Sequence, residues 1–219
     1  MVQGSAAAWR GNLWETLDAL VDADGSATHP HLRTLRVPTT PRRDLADAMH
    51  ALLAVHGAHP GMVDEARTRT VDGLASSWLD EAADAMGRER QLLARLAAAA
   101  GPLPSTPGQA ASDAALMTQR HAFQMLARSD RRGVALGAAV ALTLDWVAVR
   151  RVLARAADGF GVDIVPAALP VPQETATVVG LVADGEAAER AVLFGARALL
   201  EQHRALWSLL QARASAREG

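Results

Sequence analysis

The sequence contains no cysteine, no lysine and no tyrosine, and isoleucine occurs once, at Ile164. The absence of cysteine excludes disulfides, thiolate nucleophiles and Cys-ligated zinc. Aromatic residues make up only 4% of the chain, whereas alanine, leucine and arginine are abundant. Strong helix formers therefore dominate and strand formers are scarce, which predicts a helical protein.

The charges are nearly balanced, with 22 basic and 24 acidic residues and a formal net charge of −2. Because the sequence has no basic stripe with interleaved aromatic residues, we expect no nucleic-acid partner. Half of the residues are apolar, which is enough for one globular domain over residues 1–219. The first residues lack a basic segment followed by an apolar run, which predicts a cytoplasmic protein without a signal peptide.

The longest apolar run covers residues 133–149 and is shorter than the roughly 20 residues that a bilayer-spanning helix needs. It also carries Asp145, whose charge would be costly inside a membrane. A helix that is apolar on all sides is typical of the centre of a soluble bundle. We therefore expect no membrane partner and place this segment in the core.

Apolar residues recur every three or four positions between the loops, which predicts an all-α, single-domain bundle of about seven helices. An apolar helix at about residues 130–157, capped by Ser129, is expected at its centre. Shorter helical pieces are expected in residues 28–35 and 60–70. The other predicted helices are Ala6–Asp24, with Trp9 on its inner face, residues 41–56, Asp72–Ala100, and residues 107–128, 172–182 and 185–214.

The central helix and the segment after it carry apolar patterns that predict their packing. Because the helix has almost no polar face, we expect four of its residues to be buried: Leu136, Val140, Leu144 and Val147. Residues 162–171 form a proline-containing crossover that is too apolar for a free linker. We expect this crossover to lie across the bundle and to cover apolar surface with three side chains: Ile164, Val165 and Leu169.

Several ionisable residues lie on these apolar helix faces, where a charge is costly unless it is paired. Some of them have leucine, alanine or methionine neighbours three and four positions away along the helix. His56 differs, because it ends the apolar face of its helix. A few polar groups that converge in an apolar cavity are typical of a ligand site. The candidate ligand-binding residues are therefore Asp145, His203, Glu89, His56, His121 and Arg120.

Asp145 is the strongest of these candidates, because an ionised carboxylate in an apolar setting must find a partner. The candidate partners lie on helices long enough to run alongside: Arg120, Arg204, His121 and His203. A dry pair with an arginine would make Asp145 part of a satisfied core. A cavity shared with His203 or Glu89 would favour a ligand pocket instead, and both alternatives stay open.

Polar residues from several helices also build carboxylate-bridged metal sites. Such sites usually contain two Glu-x-x-His pairs. The nearest patterns here are Asp47-x-x-His50 and His56-x-x-His59, and Gly57 interrupts the second. We therefore assign no metal ligand, and the sequence identifies no cofactor.

Two segments resemble known families. The segment THPHLRTL, residues 28–35, follows a tryptophan-bearing helix and resembles the exit of the first helix in haem-oxygenase-like and thiaminase-like seven-helix proteins. That resemblance implies a ligand inside the bundle, but thiaminase chemistry needs a cysteine and tyrosines that this chain lacks. The second segment, GPLPSTPGQAASDAA with QRHAFQMLARSDRRGVALGAAVAL, resembles a bacterial family of unknown function, which implies no mechanism.

The functional interpretation follows from these inward polar residues. The sequence has no G-x-S-x-G elbow and no phosphate-binding glycine loop, so no catalysis is assigned. The favoured function is a helical bundle with an internal pocket for a small-molecule ligand. The alternatives are a metal-dependent oxidoreductase of ferritin-like or haem-oxygenase-like type and, third, a structural module that forms a homodimer.

Overall fold

Nine α-helices and one 3₁₀ turn, with no strand, make up the part of the chain that the computed structural model describes: residues 3–70, 73–182 and 185–218. Side chains are described from residue 13 onward, apart from residue 182. The helices are α1 (Gln3–Asp24), α2 (Pro30–Leu35), α3 (Arg42–His56), α4 (Met62–Thr68), α5 (Gly73–Ala100), α6 (Gln109–Ala127), α7 (Val134–Phe160), α8 (Pro172–Val182) and α9 (Glu186–Ala216). The all-α prediction is confirmed.

The helix count exceeds the expected seven because the two short pieces are helices in their own right. They are α2, which follows the 3₁₀ turn Ser26–Thr28, and α4. The predicted bounds of α8 are confirmed. Asp72, the expected start of α5, and the side chain of Trp9 lie outside the described residues.

The central helix α7 begins later than its sequence suggests. Gly133, with φ of 98°, is the residue before its first turn, and this left-handed backbone favours glycine. Ser129, the expected cap, instead accepts a hydrogen bond from the amide of Arg131 at 3.3 Å in the preceding turn. The helix ends at Gly161, which is also left-handed with φ of 71°.

Burial along α7 follows the prediction at two of four positions. Leu136 and Val140 are buried, Leu144 is partly buried, and Val147 is 50% exposed. The prediction for Val147 is wrong because α7 has a narrow solvent-facing strip, on which Arg151 follows Val147 one turn later. None of the described helices is both long enough and apolar enough to cross a membrane.

Helices α7 and α9 run in the same direction and approach each other at two glycines. A Cβ atom built on Gly137 would lie 2.0 Å from the Val192 carbonyl oxygen, and one on Gly195 would lie 2.0 Å from the Val134 carbonyl oxygen. These distances leave no room for a methyl group. The glycines therefore allow backbone-to-backbone contact between the two helices.

The parallel course of α7 and α9 requires the chain to return to the starting end of α7 between them. The crossover after Gly161 and helix α8 make this return. Ile164 and Leu169 pack against the core, as predicted. Val165 is 69% exposed, so its predicted burial is wrong. Its carbonyl oxygen accepts a hydrogen bond from Arg150, and the backbone at Val165 is held against α7 in this way.

Two buried histidines lie at the start of α2: His29 directly precedes the helix, and His31 is its second residue. The Nδ1 atom of His29 accepts a hydrogen bond from the amide of His31 at 3.2 Å. Burial lowers the pKa of both rings from the ordinary 6.5, and the positive charge of Arg204 adds to the effect at His29. The folded protein therefore keeps both rings neutral at a pH at which the unfolded chain binds protons. The contribution of these two rings to stability is therefore present above pH 6.5 and is lost as the pH falls below it.

We expect the free energy of unfolding to fall as the pH is lowered from 6.5 to 5.5. In His31→Gln the fall should be smaller, by at most about 1.4 kcal/mol per pH unit, because the proton-binding difference of one ring has been removed. Urea unfolding at several pH values measures both slopes. The variant His121→Gln, at an exposed histidine, should keep the parent slope. An unchanged slope in His31→Gln would contradict the prediction.

Candidate functional site

The carboxylate of Asp145 lies in the core and accepts three hydrogen bonds. Its Oδ1 atom accepts from the amide of Ser26 at 2.6 Å, and its Oδ2 atom accepts from the Ser26 hydroxyl at 2.5 Å. Oδ2 also lies 2.6 Å from Nδ1 of His203. Asp145 is 2% exposed and His203 is 1% exposed. Three donors satisfy the buried carboxylate in its ionised form.

The 3₁₀ turn brings Ser26 to Asp145. Gly25 precedes this turn, and a Cβ atom built on Gly25 would lie 2.8 Å from Oδ1 of Asp145 and 2.3 Å from the Val21 carbonyl oxygen. Glycine therefore lets the backbone reach the carboxylate. The indole Nε1 of Trp207 donates to the Ser26 hydroxyl oxygen at 2.8 Å, which directs the hydroxyl proton toward Asp145.

The hydrogen bonds of Asp145 determine which nitrogen of His203 carries a proton. Nδ1 of His203 must donate, because an ionised carboxylate only accepts. In the neutral ring Nε2 is then an acceptor, and it lies 3.2 Å from Nε2 of His56. With His203 neutral, His56 donates from Nε2 and keeps its lone pair on Nδ1. Asp145, His203 and His56 form one hydrogen-bonded chain, which we call the Asp–His–His chain.

His56 is the last residue of α3, and aromatic rings surround it. Its ring centroid lies 5.1 Å from that of Phe123, 5.2 Å from that of Trp146 and 5.1 Å from that of His203. Burial lowers the pKa of His56 well below the ordinary 6.5, and positive charge on His203 lowers it further. The imidazole of His56 is therefore neutral near pH 7.

His56 lies in the wall of a cleft between α3, α4, α5, α6 and α7, which we call the His56 cleft. The cavity volume is about 40 Å³, and apolar walls come from Met86, Phe123 and Leu142. Nδ1 of His56 has no hydrogen bond to a described residue and is not sealed in the core. The Asp–His–His chain therefore ends at a residue of the cleft wall.

Three arginines also line the His56 cleft, and two of them are paired. Arg90 lies 3.0 Å from a carboxylate oxygen of Asp64, and Arg128 lies 2.8 Å from one of Glu65. Arg120 is partly buried and makes no ion pair or hydrogen bond to any residue within the described part of the chain. Its guanidinium is therefore available to an anion.

Glu89, another predicted site residue, belongs to a neighbouring buried pair. Its Oε2 atom accepts from Nε1 of Trp146 and from Nη1 of Arg150, each at 3.0 Å. Glu89 is 4% exposed and does not line the cleft. It orients Trp146, whose ring contacts His56, so its connection to the site is indirect.

His121 is exposed, so the expectation that it points inward is wrong. The buried face of α6 carries Gln119, Phe123 and Ala127. His121 lies on the opposite face with Met117 and Met125, which are 62% and 60% exposed. In the sequence, the two apolar methionines four positions from His121 indicate a buried face.

Among the four candidate partners of Asp145, the structure selects His203. Arg204 instead donates to the Asp24 carbonyl oxygen at 3.4 Å and to the Thr28 hydroxyl at 2.9 Å. Arg120 lines the cleft and His121 faces solvent. Sequence reasoning missed Ser26, because serine after Asp-Gly is an ordinary turn residue. The tight Gly25-Ser26 turn carries no signal that it faces a carboxylate.

A second buried charge cluster, also absent from the predicted site, joins α9 to α3. Arg213 and Arg217 both bond to Asp47, and Arg217 reaches Asp44 at 2.9 Å. Thr106 also accepts from Arg217 at 2.8 Å. Two arginines and two aspartates balance in charge, so this cluster is structural. No group of three His, Asp or Glu side chains placed to hold a metal ion occurs among the described residues.

Residues 21–218 match the model of a Family of unknown function (DUF6975). Comparison with curated proteins and with solved structures gives no match. The resemblance to haem-oxygenase-like proteins therefore stays a prediction. The matched range includes Ser26 and all three members of the Asp–His–His chain, and it confirms the predicted membership of a family of unknown function. The chain belongs to the DUF6975 family.

Proposed function

We propose that this protein binds a small monocarboxylic acid in the His56 cleft. The observation that carries the proposal is Arg120, which lines the cleft and has no carboxylate partner among the described residues. A planar guanidinium binds a carboxylate through two parallel hydrogen bonds, and partial removal from water strengthens them. The favoured ligand chemistry is therefore a carboxylate beside a neutral imidazole.

The charge of the cleft supports one negative charge on the ligand. Asp64 neutralises Arg90, and Glu65 neutralises Arg128, so Arg120 contributes the remaining positive charge. A phosphate dianion would keep one uncompensated charge in a partly apolar setting, which is costly. A monocarboxylate balances Arg120 alone.

The dimensions of the cleft favour a short ligand. A cavity of about 40 Å³ holds a group of a few atoms and is far below the size of a typical drug-sized site. Its apolar wall of Met86, Phe123 and Leu142 suits the carbon part of such an acid. A short acid, or the carboxylate end of a longer one, matches this combination.

We expect pyruvate and propionate to cause saturable chemical-shift changes in a ¹H–¹⁵N spectrum of the protein, centred on the amides of α6 near Arg120 and Phe123. Arg120→Gln should weaken binding at least about tenfold, because a charged hydrogen-bond pair contributes about 1.5–3 kcal/mol. NMR titration of the parent and the variant measures this change.

The control is Arg95→Gln, which removes the same charge from an exposed site on α5. It should leave the affinity for both acids unchanged. Equal weakening in both variants would indicate attraction by net charge alone. Shifts that do not saturate, or that persist unchanged in Arg120→Gln, would contradict carboxylate binding at this cleft.

A further inference from the structure

We propose that the His56 cleft is a catalytic site in which Nδ1 of His56 removes a proton from carbon next to the carbonyl group of a bound 2-oxo acid. This inference rests on the proposed carboxylate site and deepens it. The geometry that carries it is the Asp–His–His chain, which leads from the buried carboxylate of Asp145 through His203 to His56 in the cleft wall. Such a chain is more than a carboxylate-binding site requires.

The Asp–His–His chain can accept a proton at His56 and place the resulting positive charge on His203. When Nδ1 of His56 accepts a proton, the proton on Nε2 of His56 can move to Nε2 of His203. The two Nε2 atoms lie 3.2 Å apart. The charge then lies on His203, 2.6 Å from the Asp145 carboxylate. His56 is neutral again, with its proton now on Nδ1 and ready to be returned.

The reaction balances without a further reactant. The C–H bond of the substrate breaks, and its electron pair moves onto the carbonyl oxygen to form an enolate. The proton goes to Nδ1 of His56 and, through the shift above, its charge goes to His203. Return of the Nδ1 proton to carbon or to oxygen, while the shared proton moves back from His203 to Nε2 of His56, completes a proton exchange or a keto–enol conversion. No oxidant, reductant or leaving group is needed.

The side chains of the cleft favour proton transfer over covalent catalysis. The described residues that line it include no serine, threonine or aspartate, and the chain has no cysteine or lysine. The charged groups around His56 are Glu65 on α4, Arg90 on α5, Arg120 on α6, Arg128 directly after α6, and the Asp145–His203 pair on α7 and α9. Glu65 is paired with Arg128, which leaves His56 as the unpaired base of the cleft lining. His56 is therefore the catalytic residue, and His203 and Asp145 are positioning residues.

The first test reads the proton positions directly and needs no ligand. Long-range ¹H–¹⁵N NMR at pH 8 should show His203 protonated at Nδ1 and His56 protonated at Nε2. Asp145→Asn should change the protonated nitrogen of His203 and, through the shared hydrogen bond, that of His56. A His56 ring protonated at Nδ1 at pH 8 would overturn the inference, because it could accept no proton there.

The second test measures exchange of the methyl protons of pyruvate with deuterium in D₂O. We expect the protein to accelerate this exchange above the buffer rate. His56→Gln should abolish the acceleration, and Asp145→Asn should reduce it about 100-fold with a shifted pH profile. His203→Gln provides a second positioning variant if Asp145→Asn does not fold. The control His50→Gln, on α3 but outside the cleft lining, should exchange at the parent rate.

The outcomes separate the two proposals. A protein that binds pyruvate without accelerating its exchange contradicts the catalytic inference and leaves the carboxylate site standing. A protein that binds neither pyruvate nor propionate contradicts the proposed function, and the catalytic inference fails with it. Acceleration that survives in His56→Gln contradicts the assignment of the base.

Discussion

Asp145→Ala should lower the free energy of unfolding by about 3–5 kcal/mol, the range for removing one partner from a buried charged pair. The substitution leaves the amide and hydroxyl of Ser26 and Nδ1 of His203 without their acceptor. Each of these groups is buried, so water cannot replace the lost bonds without opening the core. Urea or thermal unfolding measures the effect.

The matched control is Asp158→Ala, which makes the same change at an exposed position on the same helix. It should alter stability by less than about 0.5 kcal/mol. If Asp145→Ala were as mild as the control, the carboxylate would not be the acceptor that holds α7, α9 and the 3₁₀ turn together.

Gly195→Ala should destabilise the protein by about 3 kcal/mol, at the upper end of the usual cost of overpacking. The new methyl group would lie 2.0 Å from the backbone carbonyl oxygen of Val134, and a backbone atom cannot rotate away as a flexible side chain can. Helices α7 and α9 would have to separate by about 1 Å before the contact became acceptable. Chemical denaturation checks the magnitude.

Gly87→Ala provides the control for helix propensity. Gly87 lies within α5, and the nearest atom to a Cβ built there is 3.6 Å away, on Arg90. This substitution should stabilise the protein by about 0.5–1 kcal/mol, because alanine favours a helix over glycine. Opposite signs for the two variants are expected; a stabilising Gly195→Ala would show that the helices do not approach as closely as the structure has it.

Much of the helical architecture could be predicted from the spacing of apolar residues, because that spacing reflects which face each helix buries. Asp145 and His203 stood out for the same reason, as charged or polar residues with apolar neighbours one turn away. The spacing of apolar residues gave a wrong prediction for His121, because the neighbouring methionines on its helix face are exposed. The same spacing gave a wrong prediction for Val147, because exposing a single valine to solvent has a small free-energy cost.

The rest of the candidate site depends on contacts between distant parts of the chain. Ser26 receives its role from a turn that packs beside α7 and α9, and neither the turn type nor its neighbours are visible in local sequence. Arg213 and Asp47 look like ordinary surface charges along their own helices. They are buried only because α9 and α3 meet, which spacing within one helix does not reveal.

The sequence separations within the Asp–His–His chain, and between Asp145 and Ser26, also bear on how the protein folds. Ser26 and Asp145 lie 119 residues apart, Asp145 and His203 lie 58 apart, and His56 and His203 lie 147 apart. Closing such long loops lowers the conformational entropy of the chain, and this loss is offset only when the contacts form. Helical bundles that pair neighbouring antiparallel helices avoid this cost and fold fast. We therefore expect the site of this protein to assemble late in folding, together with the contact between the parallel helices α7 and α9.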